Sequence, residues 1–231
     1  MKHFFATCCV LLMMPVINSY ADSLNLNGIA GAGNYKISVT SYAERKFKTV
    51  YKQQYDFSCG SAALASLLTF HYEDTIDEQS IFIDMFQSGD QEKIKKQGFS
   101  LLDMKNYLER RGYRSDGFKV GLDQLLAVNA PAITIINDNG YLHFIIIKGL
   151  NKRQVLVGDP AKGVSIIPRD LFEKMWEGRI LFLIHGKQEI AAKYFQNETE
   201  WAARLAPLGA AVDRSSLGAF NMLQPGPWDF R

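Results

Sequence analysis

The sequence predicts an α+β domain, with helices in its first half and an antiparallel sheet in its second. Three observations carry this. Between residues 59 and 128, apolar residues recur at helical spacing behind capping residues. From 131 to 184, short β-branched runs follow one another, the first two joined by Asp138-Asn139-Gly140, a tight hairpin signal. The two patterns are segregated rather than alternating, which favours two packed layers over a parallel βαβ sheet.

In order, residues 22–34 are small and polar and read as a leader, and 36–39 as strand-like. Residues 47–52 alternate and predict a short strand. Ser58 is placed to cap a buried helix that runs from Cys59 to about His71-Tyr72, carrying Ala62, Ala63, Leu67, Leu68 and Phe70. Asp77 caps a second helix over 78–86, and Ser100 a third, stopped by Gly112. A helical turn follows at 122–128. Strands are expected over 131–136, 141–148, 154–157, 164–167 and 180–184, with a helix at 169–176. Residues 190–205 predict one amphipathic helix before a Gly/Pro-containing tail.

Lys2 and His3 precede an apolar run over 4–17, and Ser19-Tyr20-Ala21 offers small residues for cleavage after Ala21. This pattern predicts a secretory signal peptide and a periplasmic protein. The run is shorter than the roughly 20 residues that span a bilayer, so no transmembrane domain is expected after cleavage. A net charge of +2 and the lack of a basic run argue against nucleic acid as a partner. Of three cysteines, Cys8 and Cys9 leave with the signal, so Cys59 becomes the lone thiol of an exported chain.

A cysteine at the first position of a helix meets unpaired amide donors and the positive end of the macrodipole. Both predict a thiolate below the free-cysteine value of about 8.5. Such a nucleophile needs an imidazole and a group to orient it. Of four histidines, His3 goes with the signal, and His71 stands about 18 Å along the helix from Cys59. His185 closes the last strand with no carboxylate beside it in sequence. His143 opens an otherwise apolar strand, and Asp159 ends the next strand at the same end of the sheet. Cys59, His143 and Asp159 are therefore the candidate triad, although Asp159 also suits a turn before Pro160. Gln53 or Gln54 could supply a side-chain donor to an oxyanion. No clustered ligand spacing suggests a metal, and no cofactor is expected.

Gln53, Cys59-Gly60, an Ala/Leu-rich helix, His143-Phe144 and Asp159-Pro160, in that order over roughly 48–185, resemble the bacteriocin-processing, double-glycine cysteine peptidases. The resemblance implies a papain-like fold, with Cys59 as nucleophile, His143 as base, Asp159 as its orienter and Gln53 as the oxyanion-hole amide. It also implies cleavage of a polypeptide after a Gly-Gly or Gly-Ala pair. Most such domains lead ABC exporters, often with Asp before the cysteine. Here Ser58 precedes it and no transporter follows, so the chain is more similar to the standalone periplasmic members. A role beside a secretion system for biofilm or amyloid-type fibre subunits is then expected. The division is a signal peptide (1–21), an N-terminal extension (22–47), a peptidase domain (48–186) and a C-terminal helix with extended tail (187–231). The alternatives are a non-cleaving binding or chaperone module of a secretion system, which would function without Cys59, and an acyl-transfer enzyme.

Overall fold

The computed structural model describes residues 23–25, 36–38, 41–55 and 57–204. The expected signal peptide, most of the leader and the tail beyond 204 lie outside the described residues. The chain separates into two units, residues 1–45 and 46–231. In the first, β1 (Ser23–Asn25) pairs antiparallel with β2 (Lys36–Ser38), placing Leu24 opposite Ile37. The β1 strand falls within the stretch expected to be leader. Helix α1 (Tyr42–Lys46) follows.

The second unit opens with α2 (Cys59–His71), α3 (Glu78–Ser88), α4 (Gln91–Gln97) and α5 (Leu101–Arg110). Every α2 residue from Cys59 to Leu68 is buried, and its many Ala and Ser residues let neighbours approach on all sides. The expected caps form on α3 and α5. Asp77 accepts the Ser80 N–H at 2.8 Å. Ser100 and Asp103 satisfy one another's backbone N–H groups in a capping box. Helix α4, too short and polar to show an apolar stripe, was not expected.

The remaining elements are β3 (Arg114–Lys119), α6 (Leu122–Val128), β4 (Ala132–Asp138), β5 (Tyr141–Leu150), β6 (Gln154–Asp159), β7 (Gly163–Pro168), α7 (Arg169–Met175), β8 (Ile180–His185), α8 (Gln188–Tyr194) and α9 (Glu198–Arg204). The strands make one sheet in the order β3-β8-β4-β5-β6-β7, antiparallel at every pairing. Asn139 and Gly140 join β4 to β5 with φ values of 54° and 92°. Positive φ at both central residues makes a type I′ turn, whose twist matches the flanking strands. Leu64, Leu67 and Leu68 of α2 share one buried cluster with Ile133, Ile145, Ile147 and Phe182 of the sheet. Each such side chain contributes about 1.5–3 kcal/mol relative to exposure. The α+β arrangement of helices on an antiparallel sheet is the one expected.

Two expected elements do not form as drawn. Residues 47–52 make a turn and irregular chain rather than a strand. Their polar groups are satisfied elsewhere: the Tyr51 N–H bonds Ser66 Oγ at 2.8 Å, while Val50 buries against Leu156 and Val164. The single helix expected over 190–205 is two, broken at Phe195-Gln196-Asn197. Gln196 is drawn to β5, its N–H bonding Lys148 O at 3.0 Å and its side chain bonding both backbone groups of Leu150. Glu200 on α9 then meets the buried Lys148 ammonium at 2.6 Å.

Candidate active site

Cys59 begins α2, as its sequence context predicts, and is 8% exposed. The residue after it has to be small. A Cβ on Gly60 would lie 3.0 Å from Met104 Cε and 3.1 Å from Phe99 Cβ, so the helix start packs directly on α5 and the loop before it. Ser58 occupies the N-cap position, but its side chain makes no capping bond. Its hydroxyl is engaged instead with Glu78 Oε1 at 2.5 Å and with both backbone groups of Tyr55.

The hairpin delivers His143 to the same place. The backbone N–H of Phe144, the next residue on β5, reaches the Cys59 thiol. His143 is 3% exposed. Its Nε2 lies 3.2 Å from Asp159 Oδ2 on β6, although the N–H does not line up on that oxygen as a hydrogen bond. His143 Nδ1 is buried and makes no hydrogen bond. Tyr141 sets its ring edge-on to the imidazole, with centroids 5.4 Å apart.

Asp159 is fixed from behind by the N–H groups of Ala161 at 2.7 Å and Lys162 at 3.2 Å. Burial alone would raise its carboxyl, but His143 and these two amides together hold it below the usual carboxylate range. The thiol departs from expectation. Burial pushes Cys59 up, the N–H groups of Phe144 and Gly60 oppose this, and the Asp159 carboxylate adds to the rise. The helix terminus acts in the expected direction, but desolvation outweighs it. A thiol that keeps its proton needs an acceptor for it, and His143 Nδ1 makes no hydrogen bond that would occupy it.

Gln53 is joined to the other end of the site. Its N–H donates to Pro160 O at 3.0 Å, which ties the cysteine loop to the residue after Asp159. Its side-chain Oε1 is buried without a hydrogen-bond partner.

The model of the Peptidase C39 family matches residues 47–188. The chain belongs to the peptidase C39 family. As a C39 peptidase it is a cysteine peptidase. It is 38% identical over 182 residues to a Pseudomonas fluorescens protein named "Probable functional amyloid protease FapD", covering 79% of this chain and 80% of that one. It is 37% identical to the Pseudomonas aeruginosa protein of the same name, covering 77% and 78%. The crystal structure of the peptidase domain of Streptococcus ComA, a bi-functional ABC transporter, superposes with a TM-score of 0.50 at 19% identity. That match covers 59% of this chain and 96% of that one, and it places the C39 domain in the papain-like fold.

The other two histidines of the C39 domain stand apart from the thiol. His71 is 1% exposed, both ring nitrogens are without hydrogen bonds, and burial with the nearby Lys148 charge keeps it neutral. His185 has no carboxylate beside it in sequence but meets one in space: its Nε2 lies 3.2 Å from Asp116 Oδ2. That carboxylate comes from β3, a strand the sequence did not reveal, and the pair is half-exposed. His185 also lines an apolar cavity of about 230 Å³ with Phe118, Leu125 and Leu183. Cys59 does not line this cavity, so the hollow and the thiol are separate features. Sequence reasoning also passed over Glu78 and Tyr141. For Glu78 the missing information was its burial, and for exposed Tyr141 its edge-on approach to His143; neither is encoded in local sequence.

Proposed function

We propose that this cysteine peptidase cuts an exported polypeptide of a functional-amyloid secretion system, after a Gly-Gly or Gly-Ala type pair, using Cys59, His143, Asp159 and Gln53. The observation that carries the reading is that His143 Nε2 lies 3.2 Å from Asp159 Oδ2 while the N–H of Phe144, the next residue, reaches the buried Cys59 thiol. The names of the Pseudomonas relatives support the amyloid connection.

The chemistry follows from the positions. Nδ1 of His143 takes the Cys59 proton as the thiolate attacks the scissile carbonyl carbon. Asp159 faces the opposite nitrogen, fixes the ring tautomer and stabilises the imidazolium. The oxyanion of the tetrahedral intermediate accepts hydrogen bonds from the Cys59 N–H and the Gln53 side-chain amide. Collapse breaks the C–N bond, and the imidazolium protonates the departing amine. Water activated by the same imidazole then attacks the thioester carbon and breaks the C–S bond, which releases the new carboxyl terminus and returns the proton to Cys59. A Gly pair suits this narrow site, because the thiol is 8% exposed and a bulky side chain would have little room to approach it.

The N-terminal basic and apolar pattern supports a periplasmic location, and cell fractionation tests it. For the activity, the purified chain is incubated with an amyloid-type fibre subunit carrying a Gly-Gly or Gly-Ala pair, and products are identified by mass spectrometry. Wild type yields one cut after a small-residue pair and Cys59→Ala yields none. Cleavage by Cys59→Ala would sink the mechanism. A deletion strain fully restored by that variant would instead select the non-cleaving module.

A further inference from the structure

Glu78 is the first residue of α3 and is 5% exposed. A buried carboxyl calls for a reason, since desolvation opposes it unless its oxygens are bonded. Capping α3 is not that reason, because Asp77 already does so. The bonds of Glu78 go to one place. Oε1 accepts the Ser58 hydroxyl at 2.5 Å and the Gln54 N–H at 3.4 Å. Both donors lie in the short loop between Gln53 and Cys59. Oε2 is also buried and makes no hydrogen bond.

The consequence for the site lies in where these bonds hold the loop that joins Gln53 to Cys59. A serine at an N-cap ordinarily turns its hydroxyl onto the amides of the first helical turn. Here the hydroxyl is turned away to Glu78 and Tyr55, and no such cap forms. The bond therefore serves the loop rather than the helix start: the Glu78 carboxylate holds Ser58, the residue immediately before the Cys59 N–H that faces the oxyanion.

Resting on the peptidase reading above, we propose that Glu78 is a positioning residue for the cleavage step. It anchors the 54–58 loop through Ser58 and the Gln54 N–H, so that Gln53 and the Cys59 N–H, at the two ends of that loop, converge on the oxyanion.

The test separates oxyanion stabilisation from thiol reactivity. Alkylation of Cys59 by iodoacetamide needs the thiol and its base but no oxyanion hole, whereas cleavage of a fluorogenic Gly-Gly peptide needs both. For Glu78→Ala, kcat is expected to fall about 10–100-fold while KM stays within about threefold. The alkylation rate stays near that of wild type. Glu78→Gln keeps a carbonyl acceptor for Ser58 and is expected to recover most of the activity. Ser58→Ala is expected to lose activity as Glu78→Ala does, and the double variant to be no worse than either, as for two residues acting as one unit. Should Glu78→Ala fail to fold, Ser58→Ala and Glu78→Gln decide alone. Full activity in Ser58→Ala, or equal loss of cleavage and alkylation in the Glu78 variants, overturns the proposal. A wild-type enzyme inert toward every peptide overturns the peptidase reading instead. Hydrogen exchange then judges Glu78: faster exchange confined to 53–60 in Glu78→Ala supports the anchor, and unchanged exchange overturns it.

Discussion

His143 Nε2 lies 3.2 Å from Asp159 Oδ2, with both side chains almost fully buried. The approach follows from register. Strands β5 and β6 run antiparallel with Ile146 opposite Gly158, so Asp159 sits diagonally across from His143 on the same face. Ala161 and Lys162 then hold the carboxylate by their N–H groups. Asp159→Asn can keep those two bonds through its carbonyl oxygen, which presents its NH2 group to Nε2. An imidazole that accepts there carries its proton on Nδ1 and cannot take one from the thiol. A kcat loss of about 10²–10⁴ with the fold intact is expected. Steady-state kinetics beside circular dichroism checks this.

The shifted groups also set how stability responds to pH. The folded Cys59 thiol lies above its unfolded value. Its contribution is complete below about pH 8.5 and is lost as pH rises toward the folded value, because the unfolded chain then binds fewer protons. The urea midpoint of wild type relative to Cys59→Ser is therefore expected to fall between pH 7 and 10. Asp159 works in the opposite sense. Its folded carboxyl lies below the usual range, so its contribution is present above about pH 3.9 and is lost as pH falls through the lowered value. The gap between wild type and Asp159→Asn should close under acid. A gap unchanged from pH 6 to pH 3 would contradict the Asp159 assignment.

Much of this architecture was legible because it is written in local signals. Asp77 and Ser100 announce their helices, and Asn139-Gly140 sets the hairpin that carries His143. What escaped was set by partners distant in sequence. Ser58 looked like a cap, but a carboxylate twenty residues on claims its hydroxyl. Strand β3 carries three charged residues and a glycine at the sheet edge, so it shows no alternation, and with it the carboxylate beside His185 went unseen. The break between α8 and α9 comes from Gln196 bonding Leu150, which helix periodicity does not encode. The thiol was misjudged because helix-end chemistry can be read from sequence whereas burial at that depth cannot.

Lys148 offers a test of how α9 is held. Its ammonium, 1% exposed, meets Glu200 Oε1 and Thr49 Oγ1 at 2.6 Å each and Thr49 O at 3.1 Å. Burial lowers its pKa and the Glu200 charge opposes the change. Removing Glu200 leaves a buried cation short of its counter-charge, a loss of about 3 kcal/mol or more. Replacing the pair with apolar side chains costs far less. Glu200→Ala is thus expected to unfold at markedly lower urea, and Lys148→Met in that background to restore most of the difference. Additive losses would mean that the two residues act independently.

Gly60→Ala separates stability from catalysis. Alanine is favoured over glycine in a helix by up to about 1 kcal/mol. The added methyl, however, meets Met104 Cε at 3.0 Å, Phe99 Cβ at 3.1 Å and Phe144 Cδ2 at 3.4 Å. The methionine tip can swing aside, but Phe99 Cβ is fixed to its backbone, so the helix start has to move by a few tenths of an ångström. Overpacking of this kind costs about 1–3 kcal/mol, which the propensity gain partly offsets. Net destabilisation is therefore modest. Cys59 moves with the helix start, away from the Phe144 N–H and His143, and misplacements approaching 1 Å cost about 10²-fold in rate. The expected variant melts within a few degrees of wild type yet loses at least tenfold in both kcat and iodoacetamide reactivity. The joint loss distinguishes it from Glu78→Ala, where alkylation survives.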